Sequence, residues 1–207
     1  MEEVAPVPLA RVPFWFLRHG ETDWNARNLS QGNVEVPLNS EGIEQAKLAA
    51  ERLRGRGIAT ILCSPLSRAR DTAAMVAAEL GLPVEIEDSL HEVRFGVKEG
   101  QPMEGWFPEW IAGRFTPEGA ESFAALRERA VAAINRAVTK PPAVLVVSHG
   151  AFFRSLRSAM GLEPNVRWPN AAPTLCTPPA RDGAAWTLEV AMAPVSMSGA
   201  QPSVGRN

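Results

Sequence analysis

The sequence predicts an α/β fold, a three-layer α/β/α sandwich around a mostly parallel sheet. Short apolar runs alternate along the chain with longer stretches of helical periodicity. The two strongest runs, Phe14–Leu17 and Ala143–Val147, are apolar at every position, as expected of strands covered on both faces. Gly and Pro punctuate the joins, and polar caps open the helical stretches.

The elements follow in order. Residues 1–12 read as a Pro/Ala-rich N-terminal arm outside a single domain over 13–190. Phe14–Leu17 is a buried strand, followed by a polar loop reaching Pro37. Asn39 caps a helix with Glu41 in its first turn and Ile43, Ala46, Ala50 and Leu53 along one face. Gly55 and Gly57 end it. The strand Ala59–Cys63 leads to a helix over about 67–80, stopped by Gly81 before Pro83, and then to a short strand, Val84–Ile86. An aromatic-rich stretch, 101–118, precedes a helix over about 119–138. After Ala143–Val147 comes a helix from Gly150 to Met160, and Thr174–Thr177 and Ala185–Val190 are closing strands. A C-terminal tail, 191–207, has small residues and no periodicity.

Composition narrows the function. The 207 residues carry 21 Lys+Arg against 23 Asp+Glu, a net charge of −2, with no basic block. That argues against nucleic acid or an anionic membrane surface as partner. No apolar run approaches the ~20 residues of a membrane span. The acidic N-terminus lacks an apolar signal region, so a cytoplasmic location is expected. Cys63 and Cys176 form no Cys-x-x-Cys pair and read as buried hydrophobes. Oligomeric state stays open, since residues 191–197 could pack on a second copy as a homodimer or hang free.

Two of the three histidines occupy equivalent places. Phe14–Leu17 runs into Arg18-His19-Gly20, and Ala143–Val147 into Ser148-His149-Gly150. The carboxyl ends of such strands are where open α/β sheets bind ligands. The glycines would allow close approach of a ligand, and a helix starting at Gly150-Ala151 would aim N–H groups and its positive end at an anion. Arg18 adjoins His19, and Arg68 opens the helix after Ala59–Cys63 at the same sheet edge. Guanidinium groups grip phosphate oxygens through paired hydrogen bonds. Two arginines and two imidazoles around one point imply a phosphate group as ligand.

Arg18-His19-Gly20-Glu21-Thr22 followed by Trp24-Asn25 resembles the signature of the histidine phosphatase superfamily, the phosphoglycerate mutase-like enzymes. The resemblance continues in order through Gln31-Gly32, Pro37-Leu38-Asn39 with Gly42 and Gln45-Ala46, and Ser64-Pro65-Leu66-x-Arg68-Ala69 with Thr72-Ala73. It extends to Leu90-x-Glu92-x-x-Phe95-Gly96, Glu99-Gly100 and Ser148-His149-Gly150, covering roughly residues 13–190. Lys98 and Asp71 depart from it at positions that carry no chemistry. The resemblance implies His19 as nucleophile, forming a phosphohistidine, and Glu92 as proton donor. It implies Arg18, Arg68 and His149 as the groups that neutralise the phosphoryl oxygens, with Asn25 adding a hydrogen bond. Thr22, Gln31, Gly32, Gly150 and Ala151 are further candidates for the same substrate-binding pocket. For His19 to attack, it must be neutral, so its other nitrogen needs an acceptor such as a backbone carbonyl.

The remaining polar residues near these motifs are expected to be structural. His91 packs or lies at the surface, Glu21 steadies its loop, Trp24 packs the same loop, and Arg154 and Arg157 form a solvated helix face. No metal and no cofactor are expected, because arginine supplies the positive charge and the carboxylates are scattered.

The substrate expected is a small-molecule phosphate ester, hydrolysed to the alcohol and phosphate. The step from Glu92 to His149 is 57 residues, whereas mutases of the family carry a much longer insertion there. Pro117-Glu118-Gly119-x-Glu121-Ser122 resembles the phosphatase branch. Phosphoglycerate mutase activity is the alternative, and an inactive phospho-ligand-binding domain is a third reading. Trp106, Phe107, Trp110, Ile111 and Phe115 either form a hydrophobic lid or pack a helix onto the sheet.

Overall fold

The computed structural model describes residues 7–181 and 183–192. Six strands form one sheet: β1 (Phe14–Arg18), β2 (Thr60–Cys63), β3 (Val84–Ile86), β4 (Val144–Ser148), β5 (Thr174–Thr177) and β6 (Thr187–Val190). Their spatial order is β3-β2-β4-β1-β5-β6. The first four run parallel, β5 pairs antiparallel with β1, and β6 pairs antiparallel with β5. This is the mostly parallel sheet that the continuous apolar runs require.

Successive side chains of a strand point to opposite faces, so each central strand feeds two cores. Phe14, Phe16, Leu62, Val144 and Val146 enter one apolar cluster with α4 (Trp106–Ile111), α5 (Phe123–Ala137) and α6 (Gly150–Ala159). Trp15, Leu17, Ile61, Cys63, Leu145 and Val147 enter the other with α2 (Ser40–Leu53) and α3 (Ser67–Leu80). Helices on both faces complete three layers. Cys63 and Cys176 are free and buried. No helix among the described residues is long and apolar enough to cross a membrane.

Helix boundaries follow local chemistry. Asn39 Oδ1 accepts from Gly42 N–H at 2.8 Å to open α2, and Gly81 closes α3 in the left-handed region at φ 67°. α5 starts at Phe123, four residues later than the sequence suggests, because Ser122 is its cap and accepts from Ala125 N–H. The polar loop after β1 contains an unexpected single turn, α1 (Asp23–Ala26). Thr22 and Asn25 close it as a reciprocal capping pair. Lacking an apolar stripe, it leaves no periodicity to find.

The arm also differs from expectation where it is described. Leu9 is buried in the larger cluster, and Ala10 N–H donates to Asn135 Oδ1 at 2.7 Å, so residues 7–12 lie against the domain. Residues 1–6 of the arm and 193–207 of the tail lie outside the described residues.

One topological feature positions the site. From β1 the chain crosses to β2 on one side of the sheet, whereas from β4 it crosses over β1 to β5 on the other. The loops leaving adjacent strands therefore part in opposite directions, opening a crevice at the carboxyl ends of β1 and β4.

Candidate active site

His19 follows β1 and His149 follows β4, and these strands are paired in register with Arg18 opposite Ser148. His19 N–H donates to Ser148 O at 3.0 Å. The two buried rings lie 5.2 Å apart, tilted by 57°. The glycines after them have a different purpose from the one their position suggests. A Cβ on Gly20 would lie 2.3 Å from Gly42 O, and one on Gly150 would lie 3.2 Å from Arg18 Nε. They make room for α2 and for an arginine, not for a ligand. Gly20 N–H donates to Thr72 Oγ1 at 3.0 Å, and Thr72 Oγ1 donates to Arg68 O at 2.8 Å, tying the His19 loop to α3.

His19 Nδ1 lies 2.7 Å from Gly20 O. A carbonyl only accepts, so Nδ1 carries the proton and Nε2 keeps its lone pair. Burial, with Arg68 and Arg18 adding to it, holds the His19 pKa well below its usual value, so the ring is neutral. His149 is likewise held well down, by burial first and then by Arg68. Its Nε2 lies 2.7 Å from Ser64 Oγ.

Burial lowers Arg18 and Arg68 to about 10, which leaves both charged at neutral pH. Arg68 is fully buried on α3 and donates through Nη1 to Val34 O at 2.9 Å and through Nη2 to Gly32 O at 2.8 Å. Arg18 Nη1 donates to Trp168 O at 2.7 Å. Three buried nitrogens here lack a hydrogen-bond partner: Arg18 Nε, Arg68 Nε and His149 Nδ1. Buried donors without partners are uncommon and costly, and they mark a place built for an acceptor.

Glu92 occupies the position expected for an anion at the α6 N-terminus. Its Oε2 accepts from Ala151 N–H at 2.9 Å, and Oε1 accepts from Phe152 N–H and Val93 N–H, both at 3.0 Å. The expectation that the Gly150-Ala151 backbone faces the ligand is thereby corrected at Ala151, because its N–H is spent on the protein's own carboxylate.

Arg18, His19, Arg68 and Glu92 line one cleft, together with Asn25, Gln31, Gly32, Gly150 and Ala151. Thr22 does not line it: fully buried, it caps α1 and donates to Gln31 Oε1 at 3.0 Å, so it holds Asn25 and Gln31 in place. His149 stands beside the His19 ring without lining the cleft. Glu21 accepts from Asn39 Nδ2, and His91 Nδ1 lies 2.7 Å from Glu92 O, both within loop framework.

The outer wall is apolar. Trp106, Phe107 and Trp110 pack with Phe95 and Phe123, neighbouring rings lying 5.2–5.8 Å apart, mostly edge to face. This is packing, yet Phe95, Met103 and Phe107 also border the cleft. Phe115 remains exposed.

A model of the histidine phosphatase superfamily, branch 1, matches residues 14–179. The chain belongs to that superfamily. A probable phosphoglycerate mutase GpmB of Yersinia enterocolitica is 38% identical over 164 residues, covering 73% of this chain and 76% of that relative. Among solved structures, Mycobacterial hydrolase 1 superposes with a TM-score of 0.76 at 27% identity, over 90% of this chain and 100% of that one. The mycobacterial glucosyl-3-phosphoglycerate phosphatase complexed with VO3 gives 0.73 at 26% identity, again over 90% and 100%.

Within this superfamily frame, the tertiary structure adds residues that the sequence reading placed elsewhere. Arg154, expected on a solvated face, lines the cleft, as do Arg167 and Trp168. Arg157, expected beside it in solvent, is buried, with its guanidinium 5.2 Å from the Trp168 ring and its Nε donating to Glu163 O. Asn170 Nδ2 donates to His19 O at 2.9 Å and Asn25 Oδ1 at 3.2 Å, and Ser64 orients His149. Arg154 had a local signal, since it lies four residues after Gly150 on one helix face. Arg167, Trp168 and Asn170 lie in a loop and carry none.

Proposed function

We propose that this member of the superfamily is a phosphomonoester hydrolase that acts through a phosphohistidine on His19. The observation that carries this is the neutral His19 ring, with Nδ1 bonded to Gly20 O and Nε2 free in a cleft shared with Arg18, Arg68 and Glu92. Nε2 forms a bond to phosphorus as the ester P–O bond breaks, and Glu92 gives its proton to the departing oxygen. Water then attacks phosphorus, the P–N bond breaks, and the proton of that water goes to Glu92. Phosphate leaves with His19 and Glu92 as they began.

Arg18 and Arg68 balance the phosphoryl charge as it redistributes. Ser64 Oγ accepts from Leu66 N–H, so its own hydrogen is available to His149 Nε2. His149 then carries its single proton on Nδ1, the buried, unpartnered nitrogen beside the His19 ring. Asn25 and Gln31 complete the polar wall. The solved neighbours named as phosphatases, and the 57-residue step from Glu92 to His149, favour hydrolysis over transfer. The setting consistent with the composition is cytoplasmic, with a small phosphate ester as the ligand.

The test is base-quenched rapid mixing with a radiolabelled ester: acid-labile label on the parent and none on His19→Ala is the expected result. Undiminished turnover in His19→Ala would refute the proposal. The 38% identity to a probable phosphoglycerate mutase supports a second reading. Incubation with 3-phosphoglycerate decides between them. Steady phosphate release supports hydrolysis, and conversion to 2-phosphoglycerate without release supports transfer. Phosphate binding without either reaction would indicate the inactive binding domain.

A further inference from the structure

Arg154 and Arg167 are two cations that the phosphoryl chemistry leaves unused. Both line the cleft. Arg154 is anchored by Nη1 donating to Asn165 Oδ1 at 3.0 Å and by stacking of its guanidinium 5.1 Å from the Phe107 ring centre. Arg167 is anchored by Nη2 donating to Asn25 O at 3.0 Å. These anchors fix the guanidiniums while leaving most of their donors unused. Burial, with Arg167 and Arg157 adding to it and Glu92 opposing, lowers Arg154 to about 10, and the charges of Arg154 and Arg167 are both felt at Arg18.

Among the described residues, neither Arg154 nor Arg167 forms an ion pair with a carboxylate, in contrast to Arg54, Arg114, Arg129 and Arg136. Glu92 is the one carboxylate among the cleft-lining residues. Glu35 and Glu99 also act on Arg68, but from positions outside the cleft. A phosphoryl dianion held by Arg18 and Arg68 therefore leaves the Arg154–Arg167 side positive, and more so once Glu92 is protonated to act as the acid.

We propose that Arg154 and Arg167 form a subsite for a second anionic group of the substrate. The substrate class is then a small phosphate monoester that also bears a carboxylate or another phosphoryl group. α6 spaces the backbone positions: Gly150 borders Arg18, and the Arg154 backbone follows one turn later, roughly 6 Å along the axis. A short linker between the two anions spans that distance. The apolar contacts at Met103 and Phe107 accommodate the linker. This proposal rests on the phosphatase reading above.

The test compares kcat/KM for three esters of unactivated primary alcohols: n-propyl phosphate, 3-phosphooxypropanoate and 1,3-propanediol bisphosphate. The expected result is a preference of roughly tenfold to a hundredfold for at least one doubly anionic ester over n-propyl phosphate, the size of a charge-assisted hydrogen bond. Which of the two is better identifies the second anion. The preference shrinks with added salt. It falls about tenfold or more in Arg154→Gln and in Arg167→Gln, and Arg154→Lys retains more of it than Arg154→Gln. The ratio between esters is read within each variant, so a general loss of activity does not obscure it. Arg167 is exposed, so its replacement is compatible with folding even if Arg154→Gln is not. Equal kcat/KM for the three esters, or a preference intact in both Gln variants, would overturn the subsite and leave the phosphatase reading standing. No turnover of these esters or of p-nitrophenyl phosphate would overturn the phosphatase reading and the subsite with it.

Discussion

Replacing Glu92 with Gln tests structure and chemistry in one protein. Glu92 accepts three backbone N–H bonds, from Val93, Ala151 and Phe152. The glutamine carbonyl oxygen can serve Val93 and Phe152, but its NH2 group then faces the Ala151 N–H, donor against donor. One buried donor is orphaned, which costs about 1–3 kcal/mol. Loss of the negative charge at the α6 N-terminus costs about 0.3–1 kcal/mol more. At roughly 2–4 °C per kcal/mol for a chain of this size, Glu92→Gln melts about 3–16 °C below the parent. Its kinetics separate by leaving group. An alkyl phosphate needs the proton and slows by about a hundredfold or more. p-Nitrophenolate departs without one, so the first step survives while the water-attack step loses its base. A stoichiometric burst of p-nitrophenol with accumulated phosphohistidine is expected, read by stopped-flow absorbance and base-quenched labelling. Equal slowing of both esters with no burst would refute the proton-donor assignment. An unchanged Tm would refute the hydrogen-bond accounting.

The pH dependence follows from two imidazoles held neutral by burial. The unfolded chain protonates His19 and His149 near pH 6.5 while the native state does not. Stability therefore falls as pH drops below about 6.5, by up to about 1.4 kcal/mol per pH unit for each histidine, and gains nothing from them above pH 7. Thermal melts from pH 7.5 to 5 check this, and His149→Gln should show a shallower slope. Gly20→Ala drives a Cβ to 2.3 Å from Gly42 O, backbone against backbone. It should lose about 1–3 kcal/mol of stability and at least about a hundredfold in kcat as the His19 loop shifts, measured by denaturant melts and initial rates. Arg68→Lys cannot bridge Gly32 O and Val34 O or present a planar fork, so kcat/KM should fall by about a hundredfold or more. Turnover should be unchanged in excess EDTA, since guanidinium groups perform the charge neutralisation; loss of activity restored by a divalent cation would contradict that.

Local signals accounted for the elements that are buried on both faces or capped by their own sequence. β1 and β4 read as strands because the central positions of a parallel sheet face apolar cores on either side, so no polar residue interrupts Phe14–Leu17 or Ala143–Val147. α2 and α3 announce themselves through Asn39 and Gly81. The turn at α1 has four residues and one buried position, too short for any periodicity, and is held by Thr22 and Asn25 alone. The aromatics of 101–118 are legible as apolar without a decision between lid and packing, because their partners Phe95 and Phe123 lie outside the segment.

The site divides along the same line. Sequence alone pointed to its centre: His19, Arg68 and His149 each sit beside a strand end or helix start, and the family resemblance singled out Glu92 in the loop after β3. Tertiary structure alone decided what surrounds that centre. Arg167 reaches Asn25 across 142 residues and Asn170 reaches His19 across 151. Glu92 takes the N-terminus of α6 from 59 and 60 residues away, which redirected an anion-binding helix end toward a side chain of the same molecule. Such pairings follow from how loops converge at the crevice between β1 and β4, and no periodicity or cap in the chain records that convergence.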